Sequence, residues 1–249
     1  MRYRNFIALL LAAIIILGGC VRETSRNNPA AAHYTLGISY LREPNPTMAL
    51  KEFLKAVEIA PDNPEYQVAL ARAYLLKKAY EESERHYLKA IRLNPEQPDY
   101  YNDLGALYLE MGRWNDAIIN FRKAANNLLF ANPALALTGI GYAHHQKGEY
   151  LDAVEAFRKA LEQDRNFVQA HVHLGKTYDA LGKPEFAIRE YREALSKSPG
   201  YVPANFQLGI AYMKQKEREK AITEFETVIE LVPNSDYGRQ AEEYLDLLH

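Results

Sequence analysis

Four histidines are the most conspicuous metal-ligating and acid–base groups in this chain: the neighbours His144 and His145, and further on His171 and His173. Imidazole can ligate a metal or move a proton near neutral pH, so each pair deserves a test. On a helix, residues one or two apart point to different faces, and neither pair can chelate alone. A site joining the two pairs would need the fold to bring them together. The competing reading is packing and local hydrogen bonding, which neutral imidazole satisfies with one donor and one acceptor. No other feature completes a catalytic set. The sequence has no glycine-rich phosphate loop and no His-Glu-x-x-His pair, and its single thiol, Cys20, follows an apolar N-terminal run. We therefore expect a protein that is not an enzyme, with no catalytic residues, metal, cofactor or small-molecule substrate. Glu81, Glu82, Glu84 and the charged run from Lys214 to Lys220 read as solvated helix faces and turns.

The 249 residues are 48% apolar and 25% charged, the composition of an ordinary globular chain. Thirty Lys and Arg stand against 32 Asp and Glu, so no strong positive field invites nucleic acid. Arg2 and Arg4 precede an uncharged run from Phe6 to Leu17 and two glycines, the pattern of a secretory signal peptide over residues 1–19. That run is shorter than the roughly 20 residues a membrane-spanning helix needs, which disfavours a permanent transmembrane anchor. Leu17-Gly18-Gly19-Cys20 resembles a bacterial lipobox, which implies lipidation of Cys20 and cleavage just before it. Two or three acyl chains anchor stably where a single chain does not. Val21 and Arg22 follow the cysteine in place of an aspartate, and the same resemblance then implies the outer membrane, on its periplasmic face. Residues 20–29 are polar and aperiodic and read as a tether, reaching up to roughly 30 Å when extended.

The remainder is repetitive. Gly37, Ala71, Gly105, Gly141, Gly175 and Gly209 are separated by 34, 34, 36, 34 and 34 residues. Three residues after each comes Tyr40, Tyr74, Tyr108, His144, Tyr178 or Tyr212, and twelve after each comes a small residue from Ala49 to Ala221. An aromatic residue follows in every copy, at Phe53, Tyr87, Phe121, Phe157, Tyr191 and Phe225, and Pro61, Pro95, Pro199 and Pro233 close four of the six. By this pattern the chain is identified as a tetratricopeptide-repeat array. The expected fold is an all-α solenoid of about six helix-turn-helix repeats over residues 30–235 and a capping helix over 236–249. In the capping segment Tyr237, Ala241, Tyr244, Leu245 and Leu248 form one apolar face. Thr47 is the expected cap of the second helix. The two extra residues in the stretch Ala124 to Pro133 are expected to displace repeats four to six relative to one to three.

In such arrays the first helix of each repeat lines a groove that holds a peptide or a partner's helix. The groove slots project Tyr34, Ile38 and Leu41; Val68, Arg72 and Leu75; Asn102, Ala106 and Leu109; Thr138, Tyr142 and His145; Val172, Lys176 and Asp179; Phe206, Ile210 and Met213. The first three repeats thus carry an apolar strip, which marks a protein-binding site unless a neighbouring helix covers part of it. The Lys/Asn/Arg clamp of chaperone-binding members is not reproduced, since only Asn102 and Lys176 are of its residue types.

The stretch from Tyr100-Tyr101-Asn102-Asp103-Leu104-Gly105 through Leu128-Leu129-Phe130-Ala131-Asn132-Pro133, with the lipobox and the six repeats, resembles the type IV pilus biogenesis and stability lipoproteins. These form the PilW/PilF family, the pilus secretin pilotins. The resemblance implies a lipid-anchored protein that binds a pilus secretin subunit and promotes its localisation and assembly at the outer membrane. The alternative is a lipoprotein scaffold for cell-envelope enzymes or polysaccharide-export machinery, using the same groove.

Overall fold

Prolines and asparagines set the helix starts. Pro29, Pro46, Pro64, Pro98, Pro133 and Pro184 each stand in the first turn of a helix, where the missing amide hydrogen costs nothing. Asn28, Asn45 and Asn63 cap the first three such helices by accepting from backbone N–H groups. The cap of the second helix is thus Asn45, which accepts from Met48. The expected cap, Thr47, instead accepts from Lys77 Nζ at 3.1 Å.

The computed structural model describes residues 28–43 and 45–248. The expected leader, Cys20 and most of the tether lie outside them. Thirteen helices and no strand occur among the described residues, taken in pairs as first and second helix of each repeat. They are α1 (Pro29–Arg42) with α2 (Pro46–Ile59), α3 (Pro64–Leu76) with α4 (Tyr80–Leu93), and α5 (Pro98–Glu110) with α6 (Trp114–Ala125). There follow α7 (Pro133–Gln146) with α8 (Tyr150–Gln163), α9 (Val168–Ala180) with α10 (Pro184–Lys197), α11 (Val202–Lys214) with α12 (Arg218–Leu231), and last α13 (Asp236–Leu248). The chain divides into two compact units, one running to Leu93 and the other from Asn94. The first holds α1–α4 and the second α5–α13.

The turns between paired helices share one geometry in five repeats. Lys78, Gly112, Gly148, Gly182 and Lys216 adopt φ between 58° and 78°. The next residue's N–H reaches back to the carbonyl of the tyrosine or histidine slot, as Arg113 N does to Tyr108 O at 2.8 Å and Glu149 N to His144 O at 2.9 Å. This left-handed closure satisfies carbonyls that the helix end would leave open.

The small residue in each first helix lies under the aromatic ring of the paired helix. A Cβ built on Gly37, Gly105, Gly141, Gly175 or Gly209 would fall 2.4 to 2.9 Å from the ring of Phe53, Phe121, Phe157, Tyr191 or Phe225. In the second repeat Ala71 and Tyr87 are both buried, and Ser83 Oγ donates to Ala71 O at 2.8 Å. Phe121 is held from two sides, since a Cβ on Gly139 would lie 2.6 Å from the same ring.

A polar tie recurs beside this contact. Gln67, His171 and Asn205 each reach the backbone carbonyl six residues earlier, at Pro61, Arg165 and Pro199, within 2.6 to 3.3 Å. His33 meets Glu52, Gln67 meets His86 and His171 meets Glu190, each pair 19 residues apart and 2.6 to 2.9 Å in contact. These bonds lock the first helix to the preceding turn and to its own partner, and they satisfy polar groups that burial would otherwise penalise.

The long junction lies within the second unit, where α6 and α7 pack together. The extra residues form a built turn. Asn127 Nδ2 donates to Glu96 O at 3.1 Å, Leu129 N donates to Asn127 Oδ1 at 2.8 Å, and Phe130 is buried. Leu128 and Leu129 are left exposed.

Because Phe121 cannot retreat from Gly105 without striking Gly139, Gly105→Leu is expected to destabilise the fold by about 1–3 kcal/mol. Denaturant unfolding checks this; an unchanged midpoint would contradict the close contact.

Candidate functional site

In the first unit the groove slots lie on α1 and α3, which touch. Tyr34 sets its ring 5.0 Å from that of Tyr66 and 6.0 Å from that of Phe53. Burial, with the Glu65 carboxylate nearby, pushes the Tyr34 hydroxyl pKa up. Ile38 and Leu41 are half-buried against the cluster of Ala49, Phe53, Ala69, Leu70 and Ala73. Val68 is buried, Leu75 is half-buried and Arg72 is exposed. The face therefore offers tyrosine and aliphatic surface edged by one guanidinium.

In the second unit α5, α7, α9 and α11 touch in succession, so their slots form one face. Its chemistry is mixed. Asn102, Ala106, Leu109, Tyr142, His145, Lys176, Asp179, Ile210 and Met213 are half-buried, whereas Thr138 and Val172 are buried. Asn102 Oδ1 is the one buried side-chain acceptor among the described residues that lacks a hydrogen-bond partner. An orphaned buried acceptor costs about 1–3 kcal/mol, which a donor arriving from outside would relieve. At the far end Phe206 is buried, its ring 5.1 Å from Tyr237 and 5.8 Å from Tyr244 of α13. The terminal helix covers that slot.

The four histidines separate into four settings. His171 joins Glu190 and the Arg165 carbonyl inside its own repeat. His144 meets Glu149 at 2.7 Å across the turn that follows its helix. His145 and His173 alone share the first-helix face. His145 Nδ1 lies 3.0 Å from Thr177 Oγ1 and its ring is edge-on to Tyr150 at 5.3 Å. His173 stacks on Phe157 at 5.8 Å and takes the edge of Tyr142 at 5.3 Å. Burial lowers the pKa of His173 to about 4, with the nearby Lys176 and His145 adding to the effect. Burial and Lys176 also lower His145. Both rings are thus neutral at pH 7.

One trio of side chains on this unit could approach a metal. His144, Glu149 and Asp152 bring ligand atoms within 4.8 Å of one another. Glu149 is already engaged by Lys147 Nζ at 2.6 Å and by His144, which competes with coordination. The sequence missed the recurring polar ties of Gln67, His171 and Asn205, because their only signal is a polar residue four positions before the small one.

Models described as TPR repeat and tetratricopeptide repeat match residues 30–63, 71–112, 141–182 and 182–242. The chain belongs to the tetratricopeptide-repeat family. Among solved structures its fold resembles that of PilW, a widely conserved type IV pilus biogenesis factor. The TM-score is 0.76 and the identity 17%, over 86% of this chain and 98% of that one. PilF of Pseudomonas aeruginosa matches with a TM-score of 0.70 and 19% identity, over 87% of this chain and 97% of that one. YrrB, a TPR protein with an unusual peptide-binding site, matches with a TM-score of 0.52 and 20% identity, over 77% and 97%. Among curated protein sequences nothing matches the chain.

The neutral, half-buried His173 makes stability depend on acid. Its folded pKa of about 4 lies below the exposed value near 6.5, so the unfolded state binds the proton first as pH falls. Its contribution is complete above about pH 6.5, shrinks on acidification and levels off below about pH 4. His173→Phe keeps the ring contacts and removes the titration. Relative to this variant, wild type is expected to lose about 1–2 kcal/mol between pH 7.5 and pH 5. Parallel pH profiles of unfolding midpoints would contradict it.

Proposed function

We propose that this protein is a non-enzymatic lipoprotein of the outer membrane, facing the periplasm, that promotes localisation and assembly of a type IV pilus secretin. The observation that carries the reading is the likeness of fold over nearly the whole length of PilW and PilF. In this reading lipid on Cys20 fixes the array to the membrane. The first-helix face then holds a segment of a secretin subunit. Holding subunits beside one membrane raises their local concentration where the ring must form, and no covalent step is needed.

Several features support it. The Leu17-Gly18-Gly19-Cys20 sequence offers an acylation site, and among the described residues no helix is long and apolar enough to cross a membrane. Tyr34, Ile38, Leu41 and Leu75 offer aromatic and aliphatic surface to an apolar segment. Val68 and Arg72 complete the proposed contact residues of the first unit, and Asn102, Leu109, Tyr142 and His145 are those of the second. Tetratricopeptide faces of this kind take helices or extended strands through a few apolar anchors.

A single fractionation experiment separates the two halves of the proposal. Cys20→Ala is expected to shift the protein out of the outer-membrane fraction and to reduce secretin multimers there. Tyr34→Lys with Ile38→Lys, and separately Leu75→Glu, are expected to leave the protein in place and still reduce the multimers. Helix melting by circular dichroism confirms that these variants fold. Unchanged distributions in Cys20→Ala would contradict the anchor, and unchanged multimers in the folded face variants would contradict the binding site.

A further inference from the structure

The second unit holds a positive charge that its own fold does not balance. Lys176 sits half-buried in the middle of α9, where burial lowers its ammonium pKa. Among the described residues it has no hydrogen bond and no ion pair. Its electrical neighbours are His145 of α7 and His173 of α9. Asp179, one turn along, is committed elsewhere: it accepts from the Tyr191 hydroxyl of α10 at 2.8 Å and feels Lys214 at the end of α11. The rings of Tyr142 and Phe157 wall His173, and Tyr150 lies against His145. The result is an ammonium beside two imidazoles and aromatic surface, with no carboxylate directed at it.

We propose that Lys176, with His145, His173 and Tyr142, forms an anionic subsite that takes an aspartate or glutamate side chain of the partner segment lying on α7 and α9. This rests on the reading of the first-helix face as the binding site. Three arguments select a carboxylate. An ammonium withdrawn from water without a counter-ion is costly, and a charge-assisted hydrogen bond to a carboxylate offsets that cost. A single ammonium with no guanidinium fork beside it matches a monoanion better than a phosphate, which takes several donors at once. The neutral His173 imidazole also has one N–H to give, whereas that of His145 goes to Thr177 Oγ1, whose own proton goes to the His173 carbonyl. Independently, the unpartnered Asn102 Oδ1 on neighbouring α5 accepts a backbone N–H of the same segment once the amide turns outward.

The test uses random dodecapeptides displayed on phage and selected on the detergent-solubilised full chain. Selected sequences are expected to carry an Asp or Glu. A synthetic copy of the best binder is expected to bind Lys176→Met about tenfold or more weakly, and Lys176→Arg nearly as well as wild type. Replacing its acid by the amide is expected to cost the same factor on wild type and nothing further on Lys176→Met. Lys176→Met is also expected to melt at or above the wild-type temperature, because it removes a half-buried charge. Binders that lack an acid, or whose acid is indifferent to Lys176, would overturn the subsite and leave the binding face standing. If no selected peptide responds to Leu109→Glu, Tyr142→Ala or Ile210→Lys, the face of the second unit is itself wrong and the subsite falls with it.

Discussion

The whole arrangement depends on a missing methyl group. At five of the six first helices the residue facing the paired helix is glycine, and an aromatic ring occupies the space its Cβ would fill, with separations of 2.4 to 2.9 Å. Interiors are close-packed, so such a contact tolerates neither a larger first-helix residue nor a smaller ring. With the two helices pressed together, each repeat buries its aromatic residue and leaves one apolar stripe for its neighbour. A single pair cannot bury that stripe alone, and stability becomes a sum over neighbours. The terminal α13 completes the sum by laying Tyr244 on Phe225 and Tyr237 on Phe206.

That constraint also determines what the first helices can show. One side faces the ring and another the next repeat, so the remaining slots carry whatever chemistry the protein uses. In the first unit these are tyrosine and aliphatic residues, with Tyr34, Ile38 and Leu41 half-buried. In the second unit they include Lys176, Asp179, His145 and the orphaned acceptor of Asn102. Polar ties at Gln67, His171 and Asn205 hold the helices that present them.

Much of this was legible because it is periodic. The spacing of Gly105 and Phe121, repeated six times, specifies a helical pair wherever it occurs, and proline marks helix starts and ends independently of tertiary context. What was not legible depends on contacts between residues distant in sequence. The junction around Asn127 reads as two extra residues, while the side-chain bond to the Glu96 carbonyl that helps build its turn spans 31 residues and leaves no local signal. His171 and His173 look like one pair, but helical geometry sends one to Glu190 and the other to Phe157 and Tyr142. Thr47 has the right residue type for a cap, and Asn45 precedes it into that role because Pro46 starts the helix earlier. The isolation of the Lys176 ammonium could not be read at all, since it depends on where Asp179 turns.

The proposed activity is binding, and binding in the native envelope is its most direct test. The lipidated protein should be captured from a gently solubilised envelope of cells expressing the pilus secretin, and its co-purifying proteins identified by mass spectrometry. The account predicts the secretin as the dominant partner, with other pilus proteins beside it. Hydrolases or polysaccharide exporters in its place, with the expressed secretin absent, would contradict the account and support a different guest on the same face.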